Sequence, residues 1–239
     1  MKRMEEMGRL FEERNLRDRS YVFKDRKEAG QLLAQNLSPS VSPDALVLAI
    51  PAGGVPVGLE IARRLNLPLD LMIVRKIQIP GNTEAGFGAV GPDGEVIFNQ
   101  DLLKRLRLTE EEIDEEVQKT KKIVMARNGI FRGERIFPEV TDMTAILVDD
   151  GLASGFTMAE AVSFLRRRKA EKIIVAVPTA PEETVKRLLP NVDEIYVLNI
   201  RTFSAFAVAE AYQNWYDLGD EEVISLLKEA GIKNRNLKN

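Results

Sequence analysis

Five short, mostly apolar runs recur along the chain: Ala45–Ile50, Leu69–Val74, Met143–Val148, Lys172–Val177 and Glu194–Leu198. A run with no polar face must be covered on both sides, which is the condition of a strand inside a parallel sheet. Stretches with helical spacing lie between or beside them: Asp25–Asn36, Val55–Leu65, Thr109–Asn128, about Thr157–Arg168, and Glu182–Leu189. Alternation of this kind specifies an α/β fold, with a parallel five-stranded sheet flanked by helices.

The remaining segments are appendages to that core. Residues 1–19 are highly charged and read as an N-terminal helix or arm, leaving 20–239 as a single domain. Residues 76–95 hold six glycines and prolines between Pro80 and Pro92 and one more at Gly94, so the stretch reads as a long flexible loop or a loose hairpin. Thr109 and Glu112 form a capping box at the start of a long helix. The segment of about 199–239 reads as a small hood ending in a helix, Asp220–Ala230, with Asp220 as its N-cap and Gly231 as its stop.

The chain of 239 residues contains neither His nor Cys. A Ser-His-Asp triad, a Cys nucleophile and any Cys/His metal site are therefore excluded. Thirty-four basic and 37 acidic residues give a net charge of −3, which offers no electrostatic footprint for nucleic acid. No apolar run approaches the roughly 20 residues of a membrane span, and Met1–Arg19 lacks the apolar stretch of a signal peptide. The expectation is a cytoplasmic protein.

The most informative segment is the apolar run ending at Val148, followed by Asp149-Asp150-Gly151-Leu152-Ala153-Ser154-Gly155-Phe156-Thr157. Ligands of open α/β sheets bind outside the carboxyl ends of the strands. Backbone N–H groups at a helix start, joined by the hydroxyls of Ser154 and Thr157, suit a phosphate, and Gly155 lets the backbone approach it. The carboxylates could then accept hydrogen bonds from vicinal hydroxyls of a sugar. The competing reading is an ordinary turn and N-capped helix. Two adjacent unneutralised carboxylates argue against it, because they repel unless a ligand, metal or cation offsets them.

This segment resembles the PRPP-binding motif of the type I phosphoribosyltransferases. Its Ala-Ser-Gly version is most similar to that of adenine phosphoribosyltransferases and of a less characterised "predicted phosphoribosyltransferase" group. Resemblance to that group extends through Phe23–Gly30, Pro51–Gly58, Val74–Ile77 and Phe206–Tyr212. It implies that Asp149 and Asp150 bind the ribose 2′ and 3′ hydroxyls, directly or through magnesium-bound water. Ala153, Ser154, Gly155, Phe156 and Thr157 would hold the 5-phosphate, and Ala52, Gly53 and Gly54 would meet pyrophosphate through backbone amides. Arg75 and Lys76 would face the leaving group, and the 80–94 segment would close over the reaction. Ala52 stands where related sequences often carry Arg. Ala153 stands where 6-oxopurine enzymes often carry Asp, which weakens a hypoxanthine or guanine assignment.

The implied activity is transfer of the 5-phosphoribosyl group from PRPP to a nitrogen acceptor, a nucleobase by analogy with salvage enzymes, with Mg2+ as cofactor and release of pyrophosphate. A homodimer is a further expectation, since enzymes of this fold often are. The alternative is a non-catalytic PRPP- or nucleotide-sensing protein on the same fold. A hydrolase of the haloacid-dehalogenase type is disfavoured, because its two aspartates are separated by one residue.

Overall fold

The structure, a computed structural model, describes residues 8–39, 41–133, 135–203 and 206–231; the side chains of Thr83 and Glu84 also lie outside the description. In chain order the elements are β1 (Arg9–Glu12), α1 (Arg26–Leu37), β2 (Leu46–Ala49), α2 (Gly54–Leu65), β3 (Leu69–Leu71), β4 (Arg75–Ile79), β5 (Asn82–Val90) and β6 (Val96–Phe98). They continue with α3 (Gln100–Leu106), α4 (Glu110–Arg132), β7 (Thr144–Val148), α5 (Phe156–Arg167), β8 (Lys172–Pro181), α6 (Glu182–Leu188), β9 (Glu194–Arg201) and α7 (Asp220–Glu229).

The main sheet has the strand order β1-β9-β8-β7-β2-β3, and every pair in it is parallel. All five expected strands are in it. Along β7 the side chains divide between two cores. Ala145 and Leu147 pack with α5 residues such as Met158 and Phe164, and Ile146 and Val148 pack with α1 and α2 residues such as Leu33 and Ile61. Covering both faces is what allows four consecutive apolar residues to be fully buried.

Two elements differ from expectation, and a third takes one of the two forms expected of it. The sheet gains a sixth strand, β1, inside the stretch read as a charged helix or arm; residues 1–7 of that stretch lie outside the described residues. Its register is fixed by β9, its Phe11 ring stacks on Tyr196 at 4.4 Å, and Arg9 ion-pairs with Glu194, which Lys172 also reaches at 3.0 Å. The 76–95 stretch takes the hairpin alternative: β4 and β5 pair antiparallel, and β6 completes a separate three-stranded sheet. Phe87, Ala89 and Val90 of β5 are wholly buried, and Phe87 and Val90 share a core cluster with residues of α4 and α7. The last helix is capped by Gly219 rather than Asp220, which becomes its first residue. The capping box of α4 forms as expected, with Glu112 N–H donating to Thr109 Oγ1 at 3.2 Å and Thr109 N–H donating to Glu112 at 2.8 Å.

Candidate active site

β7 ends at Val148 and delivers Asp149 and Asp150 to the carboxyl edge of the main sheet. The next five residues form a tight loop pinned from three sides. Leu152 N–H donates to the Thr179 carbonyl at 2.9 Å, Thr184 Oγ1 donates to the Ala153 carbonyl at 2.8 Å, and Arg187 donates to the Ser154 carbonyl. Gly155 occupies the N-cap of α5 in the left-handed region, φ 72°, where a side chain would be strained. No side chain caps the helix among the described residues. An ordinary N-capped helix, the competing reading, is therefore not what this segment builds. The first N–H groups of α5 lack the usual oxygen partner and suit an anion.

A cavity of about 420 Å³ opens there. Asp149, the whole of Ala153–Thr157, Asn99 of the β6–α3 turn and Lys76 of β4 line it, with Leu102, Leu152, Met158 and Val208 as apolar wall. The stem of Lys76 runs over Gly86, where an added Cβ would lie 2.3 Å from Lys76 Cγ. Arg75 is not brought to this cavity. It alternates to the other side of β4, where burial, and then the neighbouring Arg127, lower its pKa while Asp220 opposes them.

The Pro51–Gly54 loop connects β2 to α2, and its Pro51–Ala52 peptide is cis. Ala52, Gly53 and Gly54 do not line the 420 Å³ cavity. Gly53 and Gly54 pack against the flank of the acidic pair instead, and Ala52 packs on the core cluster that holds Val55 and Leu71. A Cβ on Gly53 would lie 1.9 Å from Asp150 Oδ2, and one on Gly54 would lie 2.6 Å from the Val148 carbonyl oxygen. Glycine is required at both positions so that this backbone can approach the strand end.

The two carboxylates have different surroundings. Asp149 accepts the Asp150 N–H at 2.9 Å, and burial together with the adjacent Asp150 charge pushes its pKa well above the ordinary carboxylate range. Asp150 is also raised by burial, but Arg26 opposes the shift. Arg26, in the first turn of α1, donates from Nε to Asp150 Oδ2 at 2.8 Å and from a terminal nitrogen to the Tyr216 carbonyl at 2.9 Å. Its guanidinium lies 4.0 Å from the Trp215 ring centroid. Tyr212 Oη donates to the Asp150 carbonyl at 2.5 Å. The sequence shows Arg26 within the Phe23–Gly30 block but gives no reason to single it out, because its partner is 124 residues away.

The aromatic residues that follow the last strand fall into two groups. Tyr212 is buried and packs with Phe23 and Trp215 around Arg26. Phe203 and Phe206 line a second cavity of about 520 Å³, next to Arg187 and Arg201, which adjoins the first and shares Asn99, Ala153, Ser154 and Phe156 with it. Tyr216 donates its hydroxyl to Glu222. Glu84, the ionisable residue of the glycine-rich segment, has its side chain outside the described residues.

The sequence profile described as "Phosphoribosyl transferase domain" matches residues 24–215, which span all the parallel strands except β1 and the whole acidic-pair site. The chain belongs to the phosphoribosyl transferase family. Two Mycobacterium tuberculosis proteins named "Putative phosphoribosyl transferase", from strains CDC 1551 and H37Rv, are each 36% identical over 209 residues, or 87% of this chain and 47% of theirs. The chain thus spans about half the length of the curated relatives it matches. Among solved structures, the TT1426 protein of Thermus thermophilus superposes with a TM-score of 0.71 at 34% identity, covering 87% of this chain and 98% of that one. Among the described residues of this family member, no helix is long and apolar enough to cross a membrane.

Proposed function

We propose that the chain transfers the 5-phosphoribosyl group of PRPP to a nitrogen acceptor and releases pyrophosphate. The observation that carries this reading is the convergence of an uncapped, glycine-led helix N-terminus, two hydroxyl residues, Asp149 and Lys76 on one cavity. Ser154, Thr157 and the N–H groups at the start of α5 hold the 5-phosphate. Asp149, on the cavity wall, orients the ribose by accepting from its vicinal hydroxyls, and Asp150, beside it but outside the cavity lining and held by Arg26, would join it once the sugar is bound. In the 52–54 loop the Gly54 N–H is donated to the Ile50 carbonyl at 3.0 Å, so the amides of Ala52 and Gly53 would be the ones to meet pyrophosphate, and Lys76 places a cation at the cavity wall.

Carbon–oxygen cleavage at the anomeric centre leaves positive charge on the sugar and negative charge on pyrophosphate. The contribution of the protein is then orientation and fixed charge. The donor set also fits magnesium. No cluster of three or more carboxylate-type ligands occurs among the described residues, and two carboxylates beside a phosphate site suit an ion that keeps its waters and takes substrate oxygens. Asp149 and Asp150 would hold it, and it would supply neutralising charge for pyrophosphate.

A second reading, PRPP binding without transfer, is favoured by Ala52, which puts no cation in the pyrophosphate loop. Incubation with PRPP, magnesium and a panel of bases, following pyrophosphate and nucleotide, separates the two. Transfer predicts pyrophosphate release dependent on one acceptor. Saturable PRPP binding with no turnover on any acceptor favours the second reading, and no binding at all rejects both.

A further inference from the structure

The acidic pair poses an electrostatic problem at the strand end. Two successive carboxylates are partly buried there, side by side in the chain. A site that orients a sugar through carboxylates needs them fixed in place, yet two like charges held this close repel each other and favour rotation apart. One buried cation addresses this. The Arg26 side chain is only 7% exposed, and its Nε reaches Asp150 Oδ2 at 2.8 Å. The rest of the guanidinium is occupied away from the cavity, by the Tyr216 carbonyl at 2.9 Å and the face of Trp215 at 4.0 Å. Trp215 in turn packs against Tyr212, whose hydroxyl holds the Asp150 backbone carbonyl.

Asp150 is therefore gripped at side chain and backbone by one cluster, built from the start of α1 and residues 212–216. Arg26 does not line the 420 Å³ cavity, and neither does Asp150, whereas Asp149 does. The guanidinium thus holds Asp150 from outside the cavity lining, where it can set the orientation of that carboxylate without itself meeting a ligand in the cavity.

The geometry points to Arg26 as a positioning residue: it fixes Asp150 for the sugar and links the placement of that carboxylate to Trp215. This inference rests on the ribosyl-binding reading above. It differs from a simple staple between α1 and the C-terminal segment, which would affect stability alone. The planar fork matters because a lysine can supply the charge but cannot donate to Asp150 and stack on Trp215 in the same geometry.

The test is a double-mutant cycle on the full chain with Arg26→Gln, Arg26→Lys, Asp150→Asn and Arg26→Gln/Asp150→Asn. The first readout needs no ligand. Trp215 is the sole tryptophan, so its emission and its quenching by iodide report the cluster directly. Asp150→Asn is expected to shift that signal in the wild-type background and to leave it unchanged in the Arg26→Gln background. The second readout is the affinity for PRPP with magnesium. Arg26→Gln is expected to weaken it about ten- to a hundredfold, Arg26→Lys to recover only part of the loss, and the double variant to bind no more weakly than Asp150→Asn.

Equal Trp215 shifts on Asp150→Asn in both backgrounds would overturn the inference. So would a loss of PRPP affinity from Arg26→Gln that is as large without Asp150 as with it, or an Arg26→Gln variant that melts lower but binds PRPP as the wild type does. If the wild type itself fails to bind PRPP, the ribosyl reading falls. The tryptophan cycle then still decides whether Arg26 couples Asp150 to Trp215.

Discussion

Gly53→Ala should damage this protein through Asp150 rather than through its own backbone. Gly53 has φ −60° and ψ −34°, a conformation any residue accepts. On backbone grounds alone, alanine would stabilise by about 0.4–1 kcal/mol. The added Cβ, however, would sit 1.9 Å from Asp150 Oδ2 and 2.3 Å from its Cγ, against an ordinary contact of 3.4 Å or more. The carboxylate must retreat by about 1.5 Å, and Arg26 holds the same oxygen at 2.8 Å. Overpacking of this kind costs about 1–3 kcal/mol. The net expectation is a loss of about 1–2 kcal/mol, or roughly 3–6 °C in Tm for a chain of this size. Displacing an orienting carboxylate by more than 1 Å should also cost about a hundredfold in ligand binding or turnover. Thermal unfolding of Gly53→Ala in the wild-type and Asp150→Ala backgrounds checks the cause. With the carboxylate removed, alanine at 53 should become neutral or stabilising. An undiminished penalty in that background, or a Gly53→Ala protein with wild-type stability, would refute the reasoning.

Three further outcomes follow from the same geometry. Asp149 has its pKa raised in the fold, chiefly by burial and then by Asp150, so the native state holds its proton more tightly than the unfolded chain does. Ligand-free stability should therefore decline as pH rises from the ordinary aspartate value of about 3.9 through the raised native value. Asp149→Asn should flatten that part of a stability–pH profile measured by denaturant unfolding, and a profile identical to wild type would contradict the assignment. Tyr212→Phe removes the hydroxyl that donates to the Asp150 carbonyl. It should cost about 1–3 kcal/mol in chemical denaturation, and no change would mean the bond contributes nothing. Lys76→Ala should lower turnover or PRPP affinity about a hundredfold, while Arg75→Ala, on the α4 and α7 side of the strand, should have a much smaller effect in the same assay. The reverse order would show that the two side chains exchange roles in solution.

What was legible in the sequence was local. The run Ala145–Val148, the two aspartates and the Ser-Gly-x-Thr loop are contiguous, so strand, turn and helix start could be read together and placed at the sheet edge. What was not legible depends on distant partners. β1 is four residues, two of them charged, and is a strand because β9 offers it an edge 185 residues later. The glycines of β5 left a loop and a loose hairpin both open; Gly86 and Gly88 are where Lys76 and Ile97 approach too closely for a side chain, so they mark the strand packing of the hairpin. Alternation along β4 decides that Lys76 and not Arg75 meets the cavity, and that needed the register of the second sheet. Arg26 lies at a helix start that reads as an ordinary amphipathic turn, and its importance emerges only from the ion pair it completes.

Whether the acidic pair and the loop after it bind the phosphoribosyl group is decided by calorimetric titration of the full chain with PRPP, with and without magnesium, with Asp149→Asn/Asp150→Asn as the comparison. The expected result is saturable binding to the wild type, strengthened by magnesium, and its loss in a double variant that remains folded. Binding that survives in the double variant, or a folded wild type that takes up no PRPP, would contradict it.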